Sequence, residues 1–122
     1  MPARIVIVHD EPDFADSLTT ALRSAGHDVA TFTDPTAGLD ALDEAHRVEV
    51  LITRVAFPPG KPNGVSLARM ARYKRPGIRV VFAALPELEK HTDGLGEFMP
   101  MPVGVPDAMQ AVIRLLESGA EG

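Results

Sequence analysis

Three runs of aliphatic, β-branched residues punctuate the chain, at 4–8, 48–53 and 78–83. None alternates with polar positions, and continuous Val/Ile/Leu runs suit strands buried on both faces of a parallel sheet. A weaker strand pattern at 29–33 follows the turn signal Gly26-His27-Asp28, and a short run at 97–99 precedes a proline-rich stretch. Between these runs the apolar positions recur with helical spacing. Phe14, Leu18, Ala21, Leu22 and Ala25 fall on one helix face, with Pro12 and Asp13 suited to the first turn and Gly26 to the C-terminal cap. Asp34-Pro35 reads as an N-cap followed by a helix-starting proline, with Leu39 and Leu42 as anchors. Val65, Ala68 and Ala71 mark a third helix that ends before Pro76-Gly77, and Met109, Val112, Ile113 and Leu116 mark a last one opened by Pro106-Asp107.

The alternation of strand and helix predicts an α/β fold, doubly wound and flavodoxin-like. It is a five-stranded parallel sheet with helices on both faces. The interval between Ala84 and Gly94 leaves room for one or two helical turns, so the fourth helix is expected to be short, irregular or absent. In such folds the site lies at the carboxyl ends of the strands, near the switch in strand order. That directs attention to His9-Asp10-Glu11, Arg54, Ala84 and Met101. The length of 122 residues fits one domain, 1–122. The absence of cysteine excludes disulfide frameworks, thiolate metal sites and thiol catalysis. The apolar run Ile5 to Val8 is too short for a signal peptide or membrane span, so a cytoplasmic location is expected.

Charge changes the picture more than composition does. The net charge is −5, yet residues 50–86 hold no acid and seven bases: Arg54, Lys61, Arg69, Arg72, Lys74, Arg75 and Arg79. A basic island therefore sits inside an acidic chain.

Several segments resemble response-regulator receiver domains of the CheY-like family. Ile5-Val6-Ile7-Val8-His9-Asp10-Glu11-Pro12 resembles the first strand and acidic turn of that family. Residues Glu49 to Pro58 resemble its third strand and following loop. Asn63-Gly64 resembles the Asp-Gly that opens its third helix, and Gly94 to Pro102 its fifth strand and proline-containing loop. The resemblance covers nearly the whole chain, so a single receiver-like domain with no output domain is expected. It implies that an active member holds magnesium with two acids after the first strand. An aspartate ending the third strand is phosphorylated, a Ser or Thr ending the fourth senses the phosphate, and a Lys after the fifth neutralises it.

This sequence departs from that set at most positions. Asp10 falls on the principal metal-binding acid and Glu11 follows it, but His9 stands where the other acid usually is. Arg54 falls on the phosphoacceptor, Ala84 on the hydroxyl switch and Met101 on the lysine. With no acid between 50 and 86, no shift of alignment supplies an acceptor, and arginine stays protonated. The pocket thus reads as a degenerate pseudo-receiver site. An Arg54–Asp10 pair would take the place of metal and acceptor, leaving at most weak Mg2+ binding at Asp10 and Glu11 and no cofactor. His9 reads as a polar strand-end residue, because His27, His46 and His91 have no ligand spacing with it. Phe98 falls at the family's switch aromatic and is expected to fill space beside Ala84. Met99 and Met101 among prolines 100, 102 and 106 make an apolar loop that covers the pocket or meets a partner. The loop Pro59-Gly60-Lys61-Pro62 is longer than is usual in the family.

The functional expectation is a non-enzymatic pseudo-receiver of two-component or phosphorelay-type bacterial signalling. It acts by phosphorylation-independent protein–protein interaction with a kinase or another regulator. Arg69, Arg72, Lys74 and Arg75 are the candidate docking face for an acidic partner. Homodimerisation is left open, while the acidic total and the single nearby aromatic, Tyr73, argue against nucleic acid. Two alternatives stand beside this reading. One is a phosphorylatable receiver with an unrecognised acceptor. The other is a small flavodoxin-like ligand-binding or enzymatic domain, which lacks a Gly-rich phosphate loop after the first strand.

Overall fold

The computed structural model describes residues 4–44, 47–57 and 63–121. Residues 1–3, His46 and the loop Pro59-Gly60-Lys61-Pro62 named above lie outside them. Five strands, β1 (Arg4–Val8), β2 (Asp28–Phe32), β3 (Val50–Thr53), β4 (Arg79–Ala84) and β5 (Glu97–Pro100), form one sheet in the order β2-β1-β3-β4-β5. Every neighbouring pair is parallel. Each parallel connection needs a crossover. Three are α-helical, α1 (Pro12–Ser24), α2 (Pro35–Glu44) and α3 (Gly64–Lys74). The last connection, between β4 and β5, is a 3₁₀ segment, Pro86–Thr92, and α4 (Val105–Glu121) follows β5. The architecture is the doubly wound one expected, with the fourth crossover reduced as the spacing requires.

Local sequence sets the helix ends. Pro12 sits at the start of α1, where a missing N–H costs nothing. The helix closes with paired bonds from Gly26 N–H to the Arg23 carbonyl at 2.9 Å and from His27 N–H to the Leu22 carbonyl at 3.1 Å. Gly26 has φ +94°, a conformation that glycine adopts without a Cβ penalty. Asp34 Oδ1 accepts from Thr36 N–H at 2.9 Å at the head of α2, and Asn63 Oδ1 accepts from Ser66 N–H at 2.8 Å at the head of α3.

The alternation of side chains along the strands divides the core in two. Ile5, Ile7, Val50, Ile52, Val81 and Ala83 pack with Phe14, Leu18 and Leu22 of α1 and Ala108, Ala111 and Val112 of α4. Val6, Val8, Leu51, Val80, Phe82 and Ala84 pack on the other face with Leu42 of α2 and Leu67, Ala68 and Ala71 of α3. Leu88 of the 3₁₀ segment joins this second layer. The central strands β1, β3 and β4 are covered on both sides, which is why their sequences are continuous apolar runs. Strand order reverses between β1 and β3, so a crevice opens where these two strands end. Among the described residues, no helix is long and apolar enough to cross a membrane.

Candidate functional site

β1 and β3 lie in parallel register with Val8 opposite Thr53, so the residues that follow them leave the sheet side by side. Arg54 N–H donates to the Val8 carbonyl at 3.3 Å, which carries the pairing one step past the strand end. From there the Arg54 guanidinium reaches Asp10, with Nη1 donating to Oδ1 at 2.5 Å. The two side chains are 25% and 28% exposed, so the pair lies partly out of water. Thr53 is wholly buried, and its Oγ1 donates to the Arg54 carbonyl at 2.9 Å. The start of α3 presses on the same backbone. Gly64 N–H donates to the Val55 carbonyl at 2.8 Å, and a Cβ at position 64 would lie 1.5 Å from the Arg54 carbonyl oxygen.

His9 is buried more deeply than its reading as a polar strand-end residue implies, with 0% exposure. Its Nδ1 accepts from Glu11 N–H at 3.2 Å, and its Nε2 faces the Ala83 carbonyl at 3.2 Å. An accepting Nδ1 and a donating Nε2 define a neutral imidazole. Burial holds its pKa below the ordinary value. The Arg54 charge pushes the same way, against the Ala83 hydrogen bond and the Glu11 and Asp10 carboxylates, which raise it. The ring also tilts against Phe14 of α1 at a centroid distance of 5.0 Å. His9 thus ties β1 to β4 and to the turn that starts α1.

Ala84 ends β4 fully buried, and its carbonyl accepts from Met101 N–H at 2.8 Å. Met101 is half-buried against the α1/α4 layer and precedes a cis bond to Pro102. Phe98 stands opposite Phe82 in the β4–β5 register and packs, half-buried, against the layer that contains Ala84. The crevice therefore brings together His9, Asp10, Arg54, Ala84 and the backbone of Met101. Glu11 is exposed at its edge.

This donor set does not fit magnesium. That ion takes octahedral oxygen ligands, with carboxylates as its protein anchors. Here one carboxylate, Asp10, is already held by a fixed cation, and the second acid position is a buried neutral imidazole. Among the described residues no group of three or more His, Cys, Asp or Glu is placed to hold a metal ion. Nor does the crevice offer a hydroxyl at 84 or an amine at 101 toward a phosphoryl group.

The basic residues of α3 separate into two sets. Lys74 pairs with Asp43 of α2, and the Arg75 guanidinium donates to the Leu42 carbonyl from Nε at 3.1 Å and Nη2 at 3.0 Å. These two side chains tie α3 to α2, with Lys74 still exposed at the surface. Arg72 is half-buried, and its Nε has no hydrogen-bond partner among the described residues. Arg69 is exposed and lines a cleft of about 390 Å³ with Val55, Asn63, Val65, Leu88 and His91. The sequence reading did not single out this cleft. Its available signal was the period of a 3₁₀ helix, which puts residues three apart on one side and so aligns Leu88 with His91.

No protein-family model matches the sequence, and no curated protein matches it. Solved structures do. The chain superposes on a CheY-like response regulator receiver domain protein from Methanospirillum hungatei with TM-score 0.85 at 22% identity, covering 100% of both chains. A response regulator receiver protein from Sinorhizobium medicae gives TM-score 0.84 at 20% identity over 97% of each chain. A chemotaxis response regulator of Vibrio cholerae gives 0.82 at 19% identity, over 94% of this chain and 99% of the other. At such identities the likeness is one of fold, and this chain has the fold of the response-regulator receiver domains.

Proposed function

We propose that this chain is a two-component-type signalling module whose strand-end pocket accepts no phosphoryl group and which acts by binding another protein. The Arg54–Asp10 pair at the switch point carries this reading. A carboxylate can take up a phosphoryl group only if cations screen the approaching oxygens. In this crevice the acceptor position holds a guanidinium, which is protonated at all ordinary pH and has no lone pair to attack with. The same guanidinium occupies the carboxylate that would otherwise anchor a metal ion. The charge balance of the pocket is therefore closed within the protein, with no metal or phosphate required.

The partners that suit such a module are a kinase or another regulator, met through its surface rather than through phosphoryl chemistry. The test is incubation with acetyl phosphate and magnesium, followed by intact mass measurement. An unchanged mass is expected. Stoichiometric gain of one acid-labile phosphoryl group would overturn the reading.

A further inference from the structure

We propose that the cleft between α3 and the 3₁₀ segment docks a partner protein through a segment that pairs an acidic side chain with an adjacent large apolar one. The proposal rests on the reading of this chain as a protein-binding module, and it assigns that binding a place and a chemistry.

The cleft has an apolar floor and a basic rim. Val55, Val65 and Leu88 form the floor, and all three belong to or pack on the α2/α3 layer. Arg69 and His91 stand on opposite walls, one on α3 and one on the 3₁₀ segment. Neither has a hydrogen bond or ion pair among the described residues. Asn63 adds a donor, because its Oδ1 is committed to Ser66 N–H and its amide nitrogen is not. The acids nearest in sequence, Glu87 and Glu89, lie on other sides of the 3₁₀ turn from Leu88 and His91. Each is one residue from Leu88, whereas His91 is three.

Charge complementarity selects the occupant. No acid occurs between 50 and 86, and Lys74 and Arg75, the strongest run of that island, are engaged by Asp43 and the Leu42 carbonyl of α2. Arg69 is exposed on the cleft wall, one helical turn before Tyr73, whose side chain stands in solvent at 89% exposure. Arginine beside an exposed aromatic and an apolar floor is the composition of an energetically dominant binding patch. A phosphate or nucleic acid would gain from the arginine but nothing from Val55, Val65 and Leu88. The chain's net charge of −5 opposes a polyanion at long range.

The experiment is selection of a random-peptide display library on the full 122-residue chain. Enriched peptides are then titrated against the protein and its Arg69→Glu and Arg114→Glu variants, with circular dichroism confirming that each is folded. The expected result is enrichment of peptides in which Asp or Glu neighbours Leu, Ile or Phe. Their affinity should fall about tenfold or more in Arg69→Glu and stay unchanged in Arg114→Glu, which alters α4 on the opposite face. No enrichment, enrichment without acids, or equal binding to Arg69→Glu would overturn the proposal. So would a labelled single-stranded oligonucleotide that binds through Arg69 while acidic peptides do not. Phosphoryl uptake measured on the same preparation separates the two readings. Uptake with Arg69-dependent peptide binding removes the inert pocket alone, and no uptake without peptide binding removes the docking cleft alone.

Discussion

Arg54 and Asp10 meet across the point where the strand order of the sheet reverses, with Nη1 and Oδ1 2.5 Å apart. The contact is a consequence of register. Val8 and Thr53 are opposite each other, so the next residue on β3 and the second on β1 can reach the same space. A cation placed there meets the carboxylate that the turn supplies, and the crevice is electrostatically complete. A partly exposed pair of this kind is worth about 1 kcal/mol at most, so its importance is to chemistry rather than to stability.

Removing the cation should therefore recreate a demand for one. In Arg54→Asp, two carboxylates face each other and repel, costing about 1–3 kcal/mol, which corresponds to a Tm several degrees lower. Magnesium should restore part of that loss in the variant and none in the unaltered protein. Amide NMR during a magnesium titration is the check. Saturable shifts at Asp10 and Glu11 are expected only in Arg54→Asp, and their appearance in the unaltered protein would contradict the neutralised pocket.

His9 gives the protein a pH dependence with a definite sign. Its folded-state pKa is depressed, chiefly by burial, while in the unfolded chain it titrates at about 6.5. Above that value the imidazole is neutral in both states and stability is at its full level. As pH falls below it, the unfolded state takes up a proton that the folded state refuses, and stability declines until the lower folded pKa is reached. Urea unfolding between pH 8 and pH 5 should show this decline in the unaltered protein. His9→Gln, which cannot titrate, should flatten the curve in that window. An equal slope in both would remove His9 as the cause.

Gly64 stands where α3 crosses the backbone of the β3 exit. A Cβ there would lie 1.5 Å from the Arg54 carbonyl oxygen, and backbone cannot yield as a side chain can. Gly64→Ala should cost about 2–3 kcal/mol or more in urea unfolding, the upper range for overpacking. Gly77→Ala, whose added Cβ has nothing within 4 Å, should change stability little. Similar values for the two variants would show that α3 shifts away freely.

The sheet was legible because β1, β3 and β4 are buried on both faces, and that burial writes itself as uninterrupted apolar sequence. Boundaries were less so. β3 is Val50–Thr53 rather than 48–53, because Val50 is the first residue with cross-strand partners, Ile5 on β1 and Arg79 on β4. Arg54, Ala84 and Met101 could be placed at strand ends from the runs alone. The roles of His9, Lys74 and Arg75 could not. Each depends on an atom far away in sequence: the Ala83 carbonyl for His9, Asp43 for Lys74 and the Leu42 carbonyl for Arg75. A run of bases on one helix looks the same in sequence whether its charges face solvent or a neighbouring helix.

That distinction is itself testable. The Arg75 guanidinium bonds the Leu42 carbonyl near the end of α2 from two nitrogens, satisfying an oxygen that lies where the helix leaves its carbonyls unpaired. Arg75→Ala should therefore cost about 1–2 kcal/mol in urea unfolding, the value of a charge-assisted hydrogen bond lost from a partly buried acceptor. Amide exchange should accelerate first in α2, because that is the helix released. Arg69→Ala, at an exposed position with no bond to the described residues, should stay within about 0.5 kcal/mol of the unaltered protein. If the two variants lost equal stability, the distinction between Arg75 as a base that holds α2 and Arg69 as an exposed one would fail. If Arg75→Ala were silent in α2, its bond to Leu42 would contribute nothing to holding the helices together.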